Sequence, residues 1–321
     1  MDTYPLRFTP ILKQTIWGGR RLATQLGKVL GEEDNYAESW EIVDHGEDQS
    51  VVENGPLAGK TLEELVADKN IGVLGHSTSS ESFPLLLKYL DCNRVLSVQV
   101  HPDDEYGRKM SPPDLGKTEA WYIVESQEDS LVYAGLKTGV TRRDLEVAAE
   151  QGETDSVLHA FHPEAGDVLY IPAGTVHALG EGLLVAEIQQ SSNTTFRLHD
   201  WNRVDAQGQS RQLHIAESLE VTDFTRGPIS PLRAHDHQPH WQEIIRCDKF
   251  VLNVLNSGSD VIAGDGYFHI LTVPKGCAKL QTQGGEYPLN AGESILLPAS
   301  MTQVTVITSP ETVVLEMHQP I

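Results

Sequence analysis

The sequence predicts a mainly β protein: two related β-barrels of the jelly-roll type, with a few short helices. Two observations carry this. Most of the 321 residues fall into short apolar runs separated by Gly, Pro, Asn and Asp, the pattern of sandwiches and barrels. One segment is also echoed: "AGDVLYIPAGTVHAL", from Ala165, returns without gaps as "AGESILLPASMTQVT", from Ala291. Each copy gives Ala-Gly-acid, an apolar strand and Pro-Ala, so the chain holds two copies of one β-unit. The second copy carries Ser300 for Gly174 and Gln303 for His177, which marks it as the chemically silent one.

In chain order, the strands expected in the first barrel are Val95 to His101, Glu119 to Glu125, Leu131 to Ala134, Val168 to Ile171, Leu183 to Gln190 and Thr194 to His199. A second series lies between Trp241 and Met317. Helices are few. "KTLEELVADK" opens on Thr61 with Glu64 three residues later, a capping-box signature. "TRRDLEVAAEQG" runs from a Thr141 cap to a Gly152 stop. Asp103 and Asp104 read as helix N-terminal acids ahead of "EYGRKM". Trp17, beside Gly18 and Gly19, reads as a packing turn. "TRGPISPLRAHDHQPH", with three prolines, is a linker. The expected organisation is a larger domain over 1–224, a linker over 225–240 and a smaller domain over 241–321.

Bulk composition narrows the function classes. The formal net charge is -22, so nucleic acid and anionic membranes are repelled partners. A small anionic substrate is not excluded, because charges beyond a Debye length of about 8 Å are screened. The longest apolar runs, such as "FPLLLKYL", are too short to cross a bilayer, and "MDTYPLRFTP" lacks the features of a secretory signal. Three cysteines, Cys92, Cys247 and Cys277, are odd in number and far apart, which fits a reducing, cytoplasmic setting. Oligomeric state is not legible.

Two stretches carry chemistry. In "VLSVQVHPDD", strand alternation puts Gln99 and His101 on one face, where they need a hydrogen-bond network or a metal. From Gly166 to His177 the chain reads G-x5-P-x-G-x2-H: a turn into a strand, a proline ending its donor row, a tight turn, and an inward histidine. This pattern resembles the second sequence motif of the cupin barrel. The first cupin motif offers H-x-H followed by Glu; here Gln99-x-His101 holds the paired positions and Glu119 opens "EAWYIVE". Four inward donors result: Gln99, His101, Glu119 and His177. Zinc accepts such a nitrogen and oxygen set, and other divalent metals suit it too. The rival cluster, His235, His237 and His240, lies in the linker without a rigid strand behind it and reads as a solvated loop.

"LSVQVHPDD", "GKTEAWY", "GDVLYIPAGTVHAL" and "AEIQQSSNTTFR" together resemble the type I mannose-6-phosphate isomerases, particularly their short bacterial class. The resemblance runs from Met1 to about Val221 and includes "TIWGGRRL" and "YAESWEI". It implies a catalytic cupin domain over 1–224, a second cupin-like domain without metal ligands, and zinc-dependent interconversion of mannose 6-phosphate and fructose 6-phosphate. It puts the zinc ligands on the same four residues. Lys88, Lys117, Glu187 and Arg197 fall at substrate-contacting positions. Arg197 stays charged at working pH, so it suits oxyanion or phosphate stabilisation. Lys88 and Lys117 suit phosphate or hydroxyl binding, and a lysine depressed beside a cation suits the base. The chain departs from longer members at Asn193, where they carry an aspartate, and at Arg203, where they carry a lysine. The competing classes are a cupin oxygenase using iron or copper and a non-enzymatic sugar-binding cupin. The cationic residues favour the isomerase over the first. A full ligand set in one barrel only argues against the second.

Overall fold

The computed structural model describes residues 3–77, 82–204, 208–235 and 238–320. In the first barrel a six-stranded sheet faces a five-stranded one. Edge to edge, the larger sheet runs Val168–Ile171, Glu119–Ser126, Leu183–Gln190, Leu85–Cys92, Tyr36–Ile42 and Ile11–Gly19. The smaller runs Leu158–Phe161, Val132–Leu136, His177–Leu179, Val98–Val100 and Phe196–His199. The second barrel repeats the plan. Its larger sheet runs Gln242–Arg246, Val251–Asn256, Val313–His318, His269–Lys275 and Ser294–Leu297, and its smaller one Ser259–Ile262, Val304–Thr308, Cys277–Thr282 and Gly285–Asn290.

Strand alternation gives each large sheet two apolar faces. The inner face of the first packs Leu90, Trp121, Ile123 and Val185 against Val132, Ala134 and Leu179 of the opposing sheet. Trp17 is buried in the same cluster, a packing role. The outer face, with Leu85, Leu87, Tyr89, Tyr122 and Ile188, packs on Leu252, Val254, Ile270, Leu315 and Met317 of the second barrel. Leu85–Cys92 and Leu183–Gln190 are therefore buried at every position. This is why "LLLKYLDC" reads as a near-continuous apolar run.

Both expected helix caps are present. Thr61 and Glu64 form a capping box ahead of Leu62–Ala67, and Thr141 and Asp144 form another ahead of Arg142–Gln151, which ends on left-handed Gly152. Asp103 caps the short helix Asp104–Gly107 by accepting from Tyr106 N. The helix Ile215–Val221 was not expected; its N-cap, His214, makes no side-chain capping bond, so no local signal announces it. The strand expected over Val95 to His101 shrinks to Val98–Val100. The Val95 and Leu96 carbonyls accept instead from Arg203 and from the Trp201 indole, and His101 lies just past the strand end. The linker is no free tether either: Leu232 exchanges backbone hydrogen bonds with Val168 at the sheet edge. His235 and His240 are exposed, and His237 lies outside the described residues.

Candidate active site

Register sets the site. On the smaller sheet His177 pairs with Gln99, and Gln99 pairs on its other side with Arg197, so three polar side chains share one face. On the larger sheet a second row runs Trp121, Glu187, Lys88, Trp40. Glu119, two residues before Trp121, pairs with Gln189.

The four expected donors converge. His177 Nε2 lies 3.3 Å from Glu119 Oε1 and His101 Nε2 lies 3.5 Å from Glu119 Oε2. The Gln99 amide sits 3.3 Å from His177 Nε2. The far nitrogen of each ring is fixed by a backbone carbonyl: His101 Nδ1 donates to Thr194 O at 3.0 Å and His177 Nδ1 to Thr175 O at 2.9 Å. Those bonds leave the Nε2 lone pairs turned toward Glu119. Burial keeps both imidazoles neutral, pushing His177 down to about 4 and His101 well below its usual value.

Glu119 is fully buried; Lys117 Nζ lies within hydrogen-bond reach of its Oε2, while Oε1 has no hydrogen-bond partner. A buried carboxylate oxygen without a hydrogen bond is costly. Two imidazole lone pairs and an anion meeting at 3.3–3.5 Å are spaced as ligands of one cation. Three of them, His101, Glu119 and His177, form one of two buried groups among the described residues able to hold a metal. The donor set therefore fits a divalent ion.

Cations and acids surround this cage. Lys117 Nζ is 2.8 Å from Glu119 Oε2 and 3.1 Å from His101 Nε2. Burial lowers the Lys117 pKa, but the Glu119, Glu187 and Glu38 carboxylates outweigh it and leave a net rise. Lys88 Nζ lies 3.4 Å from Glu38, 3.8 Å from Glu187 and 4.5 Å above the Trp40 ring. Glu187 accepts from the Trp121 indole at 3.0 Å, and burial together with Glu119 raises its pKa. Glu38, which accepts from Trp40 Nε1 at 2.7 Å, is a site residue that the sequence reading did not single out. Alternation within "YAESWEI" puts Glu38 and Trp40 on one face, and that was the available signal.

Arg197 donates through Nη1 to Gln212 O at 3.0 Å, while its Nε is buried without a partner. Arg203 pairs with Asp200, which also holds Arg211, so it is bound in a local ion cluster. Asn193 is exposed.

A jelly-roll barrel whose inner wall gathers two histidines, a glutamate and a glutamine is a cupin site. Residues 6–140 match the family description "Phosphomannose isomerase type I, catalytic domain", and residues 245–316 match "Mannose-6-phosphate isomerase, cupin domain". Mannose-6-phosphate isomerase ManA of Bacillus subtilis is 38% identical over 93% of this chain and 94% of its own. The mannose-6-phosphate isomerase of Streptococcus mutans is 35% identical over 92% of each chain. The crystal structure of the Bacillus subtilis mannose 6-phosphate isomerase superposes with a TM-score of 0.87 at 30% identity, covering 98% of this chain and 100% of that one. The chain belongs to the type I mannose-6-phosphate isomerase family of enzymes.

Proposed function

We propose that this enzyme interconverts mannose 6-phosphate and fructose 6-phosphate through an enediol intermediate, with one divalent ion, zinc first among the candidates, held by Gln99, His101, Glu119 and His177. The observation that carries this is Glu119: a buried carboxylate whose Oε1 has no hydrogen-bond partner, faced by two imidazole Nε2 atoms at 3.3–3.5 Å. When bound, the ion supplies Lewis-acid polarisation to the reacting sugar oxygens. The chain's own groups do the rest. Arg197, with a free Nε, is assigned to the oxyanion that develops as the proton moves between C1 and C2. Lys88 and Lys117 are assigned to phosphate and hydroxyl oxygens of the substrate, and Glu187 to a sugar hydroxyl. The apolar barrel behind Trp121 excludes water, which strengthens each charge interaction.

The partner is a small sugar phosphate, met by local cations despite the acidic surface. Three unpaired cysteines support a cytoplasmic setting. Among the described residues no helix is long and apolar enough to cross a membrane. An oxygenase acting on neutral substrates has no use for Lys88, Lys117 and Arg197. The test follows mannose 6-phosphate by NMR before chelation, after it and after zinc is restored. Fructose 6-phosphate formation that stops with chelation and returns with zinc is expected. Full turnover by verified metal-free protein would refute the ligand assignment.

A further inference from the structure

The second barrel reaches toward the site through one lysine. Lys249, in the turn between Gln242–Arg246 and Val251–Asn256, places Nζ 2.7 Å from Asp104 Oδ2, and also 2.7 Å from its neighbour Asp248. Asp104 is more than a helix N-terminal acid. Its Oδ1 accepts from Gly116 N at 2.8 Å and from Gln190 Nε2 at 2.8 Å. Gln190 completes a bracket: its Oε1 accepts from Thr118 N at 3.1 Å, and its own N donates to Thr118 O at 3.2 Å. Gly116 and Thr118 flank Lys117, and Glu119 comes next. Packing here is tight, since a Cβ on Gly116 would lie 2.5 Å from Asp104 N.

We propose that Lys249 is a positioning residue: through Asp104 and Gln190 it fixes the 116–119 segment, and so the placement of Lys117 and Glu119 in the site. This rests on the assignment of those two residues to the active site. The pair is partly exposed, at 26% and 31%, so as an ion pair it contributes little to stability. Its effect is geometric. Asp104 loses one of its anchors when Lys249 is removed, and small misplacements of catalytic groups cost rate out of proportion to stability.

The experiment compares Lys249→Met, Asp104→Asn and the double variant with the full-length enzyme. It reads kcat and KM for mannose 6-phosphate, zinc affinity by chelator competition, and Tm. Each single change is expected to lower kcat or zinc affinity by about tenfold, near the low end for supporting shells, with Tm almost unmoved. The double variant should lose no more than either single one, and Lys249→Arg should restore the loss. Wild-type kcat and zinc affinity in Lys249→Met, or losses that multiply in the double variant, would overturn the proposal. Glu119→Gln separates the two layers. If it stays active and zinc-loaded, the site assignment fails and the relay with it. If it is dead while Lys249→Met is normal, the relay alone fails.

Discussion

Glu119 in the first barrel and His269 in the second occupy the same place. In the repeated segment Ile171 aligns with Leu297; across the sheet Ile171 pairs with Glu119 and Leu297 pairs with His269. One strand further, Glu187 stands opposite Trp121 and Glu316 opposite Leu271; beyond them lie Lys88 and Asn253. The second barrel thus keeps a polar cluster at the counterpart of the site. The clusters differ in how the carboxylate is satisfied. Glu316 Oε1 accepts from His269 Nδ1 at 2.6 Å and His318 Nδ1 at 2.9 Å, while its Oε2 accepts from Asn253 Nδ2 at 2.6 Å. His269 Nε2 lies 3.1 Å from Asp265 Oδ1, so both its nitrogens face carboxylates. Here two imidazoles and an amide hold the carboxylate, whereas beside Glu119 the donor in reach is the Lys117 ammonium.

This network predicts a pH signature. Burial raises the Glu316 pKa, but hydrogen bonds from His269 and His318 outweigh it and hold the carboxyl down at about 2. Burial lowers the His269 pKa, but Glu316 and Asp265 outweigh it and raise it above 6.5. The Glu316 contribution is fully present above its ordinary 4.5 and fades as pH falls toward about 2. The His269 contribution is fully present below 6.5 and fades as pH rises through its elevated value. Glu316→Gln should therefore cost about 3–5 kcal/mol between these limits, and less on either side. Urea denaturation across pH measures the gap; a constant gap contradicts the assignment.

Metal content should follow the first cluster alone. Purified, dialysed protein is expected to hold one divalent ion per chain, lost in Glu119→Ala or His177→Ala and retained in Glu316→Gln. Elemental analysis of the three variants decides it. A second equivalent that vanishes in His269→Gln would show that the second cluster also binds metal.

Arg197→Ala should lower kcat by roughly 10²–10³, the usual loss of one preorganised donor to a developing oxyanion. Arg197→Lys should recover only part of it, because an ammonium lacks the planar guanidinium fork. Steady-state kinetics on both suffice. Unchanged kcat in the alanine variant would reduce Arg197 to its observed bond with the Gln212 carbonyl.

What the sequence showed depended on whether the signal was local. The repeat, both helix caps and the spacing around Gln99, His101, Glu119 and His177 are short-range patterns, and the structure brings those four side chains together. Glu38 was missed because its meaning depends on Lys88, fifty residues away and on the adjoining strand. The His269, Glu316 and His318 cluster lies outside the repeated segment, in which Gln303 is the counterpart of His177. The second cluster is drawn from other strands.

The two barrels should not fold apart. Their large sheets share one apolar core, Tyr89 OH bonds Thr272 Oγ1 at 2.6 Å beneath it, and Leu6 exchanges backbone hydrogen bonds with Leu296. A chain ending at residue 240 would expose Leu85, Leu87, Tyr122 and Ile188, and is expected to aggregate rather than give an active enzyme. Within the full chain, Leu315→Ala should cost about 2–5 kcal/mol as a core truncation, and Tyr89→Phe about 1 kcal/mol as one lost hydrogen bond. Both should lower a single cooperative unfolding transition seen by calorimetry. Two separated transitions, or a soluble and active 1–240 fragment, would show that the second barrel is an accessory, and Lys249 would then have no route to the site.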